Sequence, residues 1–503
     1  MAETQTEKQK IKVIRTALDE VPFGDDSEDG FGRKERVTKT LPAEVTSKML
    51  YKDVVRIAWP SFVELILTQL ASMVDLMMVG SLGAWALTAV GLTTQPKFLL
   101  MTMFTAMNVG ATAMVARYRG SGDREKANRI MRQAILLTFV LSTLASVLGY
   151  IFAEPLVIFM GAQEQAVLEG AVSYLRIQMI GFVFMALTTT VTAVLRGVGD
   201  SRTAMIYNMT ANVVNVIMNY LLIFGNLGFP KMGVAGASLA TIIGQFVAFV
   251  YAYFYVMSGK RYLHLRLRDG FKPIWGELKK IFQIGFPALV EQCVMRAGMI
   301  IYAKTVASLG TVAYATHQVC MNIQALSFMS GQAFAVSATS LVGQSLGRKR
   351  PDMAQAYCSR TRRIGFFVAI GIALLFFFGG GTIVGLYNDE KEIVETGAKI
   401  LMIMAFTQPF QSSQFIVAGG LRGAGDTKAT AIVTFITVLL VRPGFAIFSI
   451  YVLDWGLYGA WIAMALDQVL RTSLIFARYN SGKWKQIKVK EYGSKAAKTA
   501  KTA

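Results

Sequence analysis

Charge is what this chain has least of. Asp, Glu, Lys and Arg make up 16% of its 503 residues, against about 25% in an ordinary soluble domain. The shortage falls in long uncharged runs, which excludes a water-soluble globule. Cysteine is scarce too: Cys293, Cys320 and Cys358 stand apart, in or beside apolar runs, with no CxxC pair. Neither a disulfide framework nor a metal centre is indicated, and no cofactor is expected. Acids are outnumbered by bases, 31 to 51, for a net charge of +20. The basic excess sits in short connectors and in the tails, which reads as membrane topology and contact with anionic lipid, with no nucleic-acid partner. The first 47 residues lack the apolar core of a cleavable signal peptide and read as a disordered cytoplasmic tail. The glycine-containing RGVGDS and RGAGDT segments lack the Lys-Ser/Thr of a phosphate-binding loop. They read as tight turns in which Arg196 and Arg422 anchor helix ends. A membrane-embedded enzyme would need a cluster of His, Asp or Glu at a membrane face, and none stands out, so the chain is expected not to be an enzyme.

What is present is a series of apolar runs, each about the 20 residues that a bilayer-spanning helix needs. Six fall near 54–80, 86–115, 132–153, 172–194, 204–224 and 233–257; six more near 281–307, 312–342, 364–386, 399–419, 429–452 and 457–477. The connector after every even-numbered span is rich in Lys and Arg, as in RYRGSGDREKANRIMR and GRKRPDMAQAYCSRTRR. The alternating connectors are poor in them or acidic, as around Asp389, Glu390, Glu392 and Glu395. The positive-inside rule then places both termini in the cytoplasm and the chain in a plasma or inner membrane.

The runs repeat in one orientation. PSFVE at Pro60–Glu64 returns as PALVE at Pro287–Glu291, and MVGSLG at Met78–Gly83 as TVASLG at Thr305–Gly310, both at an offset of 227. LRGVGDS at Leu195–Ser201 returns as LRGAGDT at Leu421–Thr427, at an offset of 226. The expected fold is therefore an all-α integral membrane protein of twelve transmembrane helices, in two six-helix lobes related by a parallel repeat, an architecture used by transporters. Its parts are a tail at 1–47, an N-lobe at 48–257, a linker at 258–280, a C-lobe at 281–479 and a cytoplasmic tail at 480–503.

Within the spans a few polar groups stand out. Glu64 and Asp75 share one face of span 1, and a carboxylate at membrane depth is a functional candidate by default. Asn208, Asn212, Asn215 and Asn219 fall on one face of span 5 at spacings of 4, 3 and 4. Such a stripe either glues helices together or forms a polar wall beside Asp75 that binds a cation. The repeat favours the second. At an offset of 226 the asparagines map to Thr434, Val438, Val441 and Phe445, and at an offset of 227 Asp75 maps to Tyr302, so only the first lobe keeps the set. Spans 1, 5 and 6 offer no base to neutralise Asp75. Glu64 and Glu291 are repeat mates, each four residues after a proline. They either stabilise helix N-termini or draw cationic substrate into a central cavity shared with Asn208, Asn212 and Tyr302. Arg296 and Lys304 lie in the same span as Glu291. Asp467 and Arg471 are spaced to pair along span 12, within reach of Arg442. His317 reads as a hydrogen-bonded core residue.

With these residues in view, the chain resembles the multidrug and toxic compound extrusion (MATE) family of cation-coupled antiporters, from about Lys52 to Tyr479. The resemblance rests on the six-plus-six repeat, the paired LRGxGD[ST] segments, the Pro-x-x-x-Glu openings and Asp75 before VGSLG. It implies two lobes in a V, alternating access, and efflux of organic, cationic, amphiphilic small molecules against an inward flow of H⁺ or Na⁺. It also implies a lobe-one cation site of Asp75, Asn215, Asn219 and Thr241, with Na⁺ at Asp75 as the alternative to a proton. Some members carry Asp where this chain has Asn219, and a subgroup carries one in span 10, where this chain reads QPFQSSQF; Asp75 is then the main carboxylate of lobe one. The expected partners are those substrates and the bilayer, with the protein acting as a monomer. A flippase for lipid-linked precursors, of similar two-lobe layout, is the rival reading.

Overall fold

In a computed structural model the chain is described at residues 41, 45–162, 164–259, 262–266, 270–387 and 390–487. Most of the N-terminal tail, part of the linker, Asp389 and most of the C-terminal tail lie outside the described residues. The rest is helical, as a chain in hydrocarbon must be when no water is there to bond a free N–H or C=O. Twelve long helices follow: α1 Ser47–Gly80, α2 Ala84–Gly120, α3 Arg124–Ile151, α4 Gln165–Gly197, α5 Ser201–Phe224 and α6 Gly233–Met257, then α7 Trp275–Ala307, α8 Thr311–Gly347, α9 Pro351–Gly385, α10 Lys391–Gly423, α11 Thr427–Tyr451 and α12 Gly456–Asn480. A short helix, Ala153–Phe159, lies between α3 and α4. Each of the twelve covers one predicted span, and α7 starts at Trp275, inside the stretch assigned to the linker.

Eleven of the twelve are long and apolar enough to cross a membrane. The other, α10, is 33 residues long, and its middle carries Gln408, Gln411, Ser412, Ser413 and Gln414, all buried against protein. A helix enclosed by other helices does not need an apolar surface. Several helices reach 33–37 residues, about 50 Å or more at 1.5 Å per residue, so they project beyond a hydrocarbon core of about 30 Å.

The repeat shapes the packing. Helix α1 begins against the opposite lobe: Leu50, Val54 and Ile57 pack with Leu341, Met353 and Tyr357, and Ser337 Oγ donates to Val54 O at 3.2 Å. Further along, α1 turns to its own lobe. Helix α7 does the same in mirror role, with Ile281 and Ile284 buried beside Ala106 and Met107 of α2. The lobes meet where α2 and α8 end. A Cβ built on Gly120 would lie 1.9 Å from Gln344 O, and one on Gly347 2.0 Å from Arg117 O. These are repeat mates, each glycine touching the other's partner helix, so only glycine permits this approach. Arg117 Nη2 donates to Ala424 O at 2.7 Å, and its mate Gln344 Nε2 donates to Gly197 O at 3.1 Å. Thus each lobe bonds the carbonyl of the other's LRGxG turn. These close approaches all lie at the end that carries the basic connectors.

Helix α11 departs from its mate α5 by a π-helical turn at Phe435–Val441. Such a turn absorbs one extra residue. The offset between mates is 226 where α5 and α11 begin and 227 where they end. Beyond that turn the mates of Asn215 and Asn219 are therefore Arg442 and Ala446, in place of the Val441 and Phe445 given by an unbroken register.

Candidate functional site

Helices α1 and α5 run side by side in constant register. Asn208 Nδ2 donates to Glu64 Oε1 at 2.7 Å, Asn212 Nδ2 to Thr68 Oγ1 at 2.9 Å, and Asn219 Nδ2 to Asp75 Oδ1, each pair 144 residues apart. Spacings of 4 and 7 keep these positions on one face of each helix, so one amide stripe serves α1 over nearly its whole membrane-depth length. The stripe does two different things at its two ends.

At the end away from the basic connectors, five residues before α1 stops, Asp75 is held from two sides. Besides Asn219, Asn215 donates Nδ2 to Oδ1 at 2.8 Å and to Oδ2 at 3.0 Å, while its Oδ1 accepts from Thr241 N at 3.2 Å and Oγ1 at 3.3 Å. That orientation of the amide is the one that satisfies both neighbours. Asp75, Asn215, Asn219 and Thr241 therefore form one cluster across α1, α5 and α6. Asn215 and Asn219 are buried, and Asp75 is half-buried. Asn219 Oδ1 has no partner among the described residues.

At the end nearer the basic connectors, Glu64 is buried at 4% exposure, and Arg196 Nη2 reaches its Oε1 at 2.7 Å. The C-lobe repeats this: Glu291 accepts from Arg422 Nη2 at 2.5 Å and from Thr430 Oγ1 at 2.9 Å. The LRGxGD segments explain themselves here. The arginine crosses to the glutamate of α1 or α7. The second glycine takes a left-handed turn, φ 87° at Gly199 and 82° at Gly425, which glycine alone adopts without strain. In the first copy Asp200 then caps α5 through Thr203 N at 3.3 Å. The arginines that the sequence assigned to helix ends are thus also the neutralising partners of the two glutamates; Glu291 pairs with Arg422, not with Arg296 or Lys304 of its own span.

Tyr302, the mate of Asp75, is 3% exposed, and its hydroxyl donates to Ala460 O at 2.9 Å. It belongs to the C-lobe core with His317 and Trp461, whose rings lie 5.6 Å from Tyr302 and 5.4 Å from His317 respectively. Beside it Asp467 takes two arginines: Arg471 Nη2 at 2.8 Å from Oδ1, and Arg442 Nε at 3.0 Å from Oδ2. His317 is buried, but its Nδ1 has no partner among the described residues.

One residue was missed. Lys97 of α2 is a half-buried base in the middle of a span. The signal was present, since a lysine in the middle of the 86–115 run is as anomalous as Asp75 itself.

The MatE family model matches residues 60–221 and 287–448, one copy per lobe. The chain belongs to the MATE family. Members of that family are transporters, and the two copies are the two lobes described above. Among its relatives, "Probable multidrug resistance protein NorM" of Thermotoga maritima is 28% identical over 447 residues, covering 89% of this chain and 95% of the relative. "Multidrug resistance protein MdtK" of Yersinia enterocolitica is 27% identical, covering 72% and 79%. Solved MATE structures share the fold. One described as "Crystal structure of MATE in the bent conformation" superposes with TM-score 0.80 at 22% identity, covering 88% of this chain and 99% of that one. Another, "Outward-facing conformation of a multidrug resistance MATE family transporter of the MOP superfamily", gives 0.81 at 22% identity, covering 87% and 97%.

Proposed function

We propose that this protein is a secondary active multidrug efflux antiporter of the cytoplasmic membrane, exchanging H⁺ or Na⁺ for organic, cationic amphiphiles by alternating access. The supporting observation is the charge balance of the spans. Glu64, Glu291 and Asp467 are each in direct contact with arginine. Asp75 is in contact with amide N–H groups instead. A buried ion pair holds its charge fixed, whereas a carboxylate without a direct cationic partner can exchange one cation for another. Coupling ion and substrate then compete for Asp75, and antiport follows by linkage. The names of the multidrug resistance relatives support the substrate class.

With the basic connectors in the cytoplasm, the closed junction of α2 and α8 is the cytoplasmic gate. Glu64 and Glu291 tie α1 and α7 to the LRGxGD turns, so the outer halves of these helices move against anchored inner ends. Asp75→Asn keeps size and hydrogen bonding but cannot release a proton. It is expected to insert and fold normally, yet to lose dye efflux driven by an imposed pH or Na⁺ gradient in proteoliposomes. Uphill transport at near wild-type rate would remove Asp75 from the mechanism.

A specific observation favours the flippase as a second reading: Arg296 of α7 lies over the ring of Phe98 on α2, 4.9 Å from its centroid, and places a base between the lobes. Translocation of a lipid-linked pyrophosphate, with no gradient-driven dye efflux, is the result that would select it.

A further inference from the structure

We propose that residues 483–487, just after α12, are a latch on the α2/α8 junction: seated on the C-lobe, they hold out one carbonyl that Arg117 of the N-lobe grips only while the junction is closed. This rests on the reading of that junction as a gate.

The segment is built into the C-lobe. Gly482 turns the chain at φ 67°, and Lys483–Gln486 form a single 3₁₀ turn. Trp484 is 1% exposed. Its ring stacks on that of Tyr479, 5.3 Å between centroids, and its Nε1 donates to Tyr479 O at 2.8 Å. It belongs to the buried cluster of Val342, Ala354 and Leu421 from α8, α9 and α10, and Ile487 packs against that cluster. Lys485 Nζ donates to Gln355 Oε1 of α9. All these partners are in one lobe, so the seat does not depend on where the other lobe stands.

One contact crosses to the N-lobe. Arg117 Nη2, which donates to Ala424 O at 2.7 Å, also donates to Ile487 O at 3.1 Å. Arg117 is half-buried and has no ion pair among the described residues, so carbonyl dipoles balance its charge. Ala424 is the C-cap of α10, where the helix dipole favours a cation. Ile487 O meets the same nitrogen from the latch. Parting α2 from α8 takes Arg117 away from both oxygens.

The repeat separates this contact from the fold's general plan. Ser258-Gly259-Lys260 after α6 is the mate of Ser481-Gly482-Lys483 after α12, at an offset of 223. Both glycines have φ 67°, and both serines donate Oγ to the carbonyl three residues back at 2.7 Å. Beyond this shared turn the copies diverge. The linker buries Leu263 and Leu265 in the N-lobe core and leads to α7. Gln344, the mate of Arg117, bonds Gly197 O and Ser340 Oγ, and no linker residue among the described residues. The turn is common to both lobes; the grip across the junction belongs to the segment after α12 alone.

The full chain and a chain ending at Gly482 would be compared in nanodiscs by pulsed electron resonance between spin labels at Ser121 and Arg348, which are exposed beside the junction. Loss of the latch is expected to raise the ratio of open to closed junction about tenfold, the scale of one hydrogen bond to a charged group. A chain ending at Lys490, which keeps the latch, should match the full chain. Arg117→Ala should also open the junction, and ending that variant at Gly482 should change its ratio less than about twofold, because nothing is left to grip. A ratio unmoved by the loss of residues 483–503, an equal rise with and without Arg117, or the same rise in the chain ending at Lys490 overturns the inference. If the shortened chain does not fold, Trp484→Ala, which unseats the segment, carries the same expectation, as Arg117→Gln does for Arg117→Ala. The double variant Gly120→Ala/Gly347→Ala separates the two levels. Opening there without opening in the shortened chain would sink only the latch. Opening in neither would sink the gate and the latch together.

Discussion

The paired glycines at the closed junction offer the most direct test of how the lobes move. Gly120→Ala and Gly347→Ala add one methyl on each side of the α2/α8 contact. The new carbons would stand 1.9 and 2.0 Å from the carbonyl oxygens of Gln344 and Arg117, where an ordinary carbon–oxygen contact is about 3.3 Å or more. Each oxygen belongs to helix backbone, so it cannot swing aside; the helices must separate by more than an ångström. Overpacking of this kind costs about 1–3 kcal/mol per site. Alanine's better helix propensity offsets about 0.5–1 kcal/mol of each in any state. The clash exists only while the junction is closed. The propensity gain cancels between the two states, so the double variant should favour the open junction by about 2–6 kcal/mol, roughly 30-fold or more in population. Spin labels at Ser121 and Arg348, both exposed and next to the two glycines, read this by pulsed electron resonance. A longer-distance population should appear in the variant, with thermal stability close to wild type. An unchanged distance distribution in a folded double variant would refute the assignment of this junction as the gate. Gly371, whose added carbon meets nothing within 4 Å, supplies the control: Gly371→Ala should leave both readouts as they are.

Two further expectations concern the LRGxGD turns. Arg422→Ala leaves Glu291 buried without its cation and should destabilise the protein by about 3–5 kcal/mol, seen as a large drop in thermal midpoint, whereas removing Glu291 and Arg422 together should cost less than the single change. Asp200→Ala removes the cap of α5 and the acceptor of Tyr255 Oη at 2.9 Å; a loss of about 1–2 kcal/mol is expected, with transport retained.

Much of this architecture is legible in the chain alone, because it follows from burial in hydrocarbon. Twelve apolar runs demand twelve helices, and PSFVE with PALVE discloses two lobes before any contact is known. The amide stripe is legible for the same reason: four asparagines on one helical face need partners, and Glu64 and Asp75 supply two of them. What one-dimensional spacing does not carry is which group faces which across separate helices. That Arg196 and Arg422 neutralise Glu64 and Glu291 depends on α4 and α10 ending beside α1 and α7, more than a hundred residues away in sequence. The π-helical turn in α11 shifts the C-lobe register by one residue, so Arg442 faces Tyr302 where a ruler laid on the sequence finds valine. Helix α10, legible as the run near 399–419, is the one of the twelve that is not apolar enough to cross a membrane by composition alone, and its glutamines are buried against protein. Span identity is settled by each segment's own free energy of transfer into lipid, a local quantity. Charge pairing is settled by the packing angles and registers of helices against one another, and these exist only once the chain has folded.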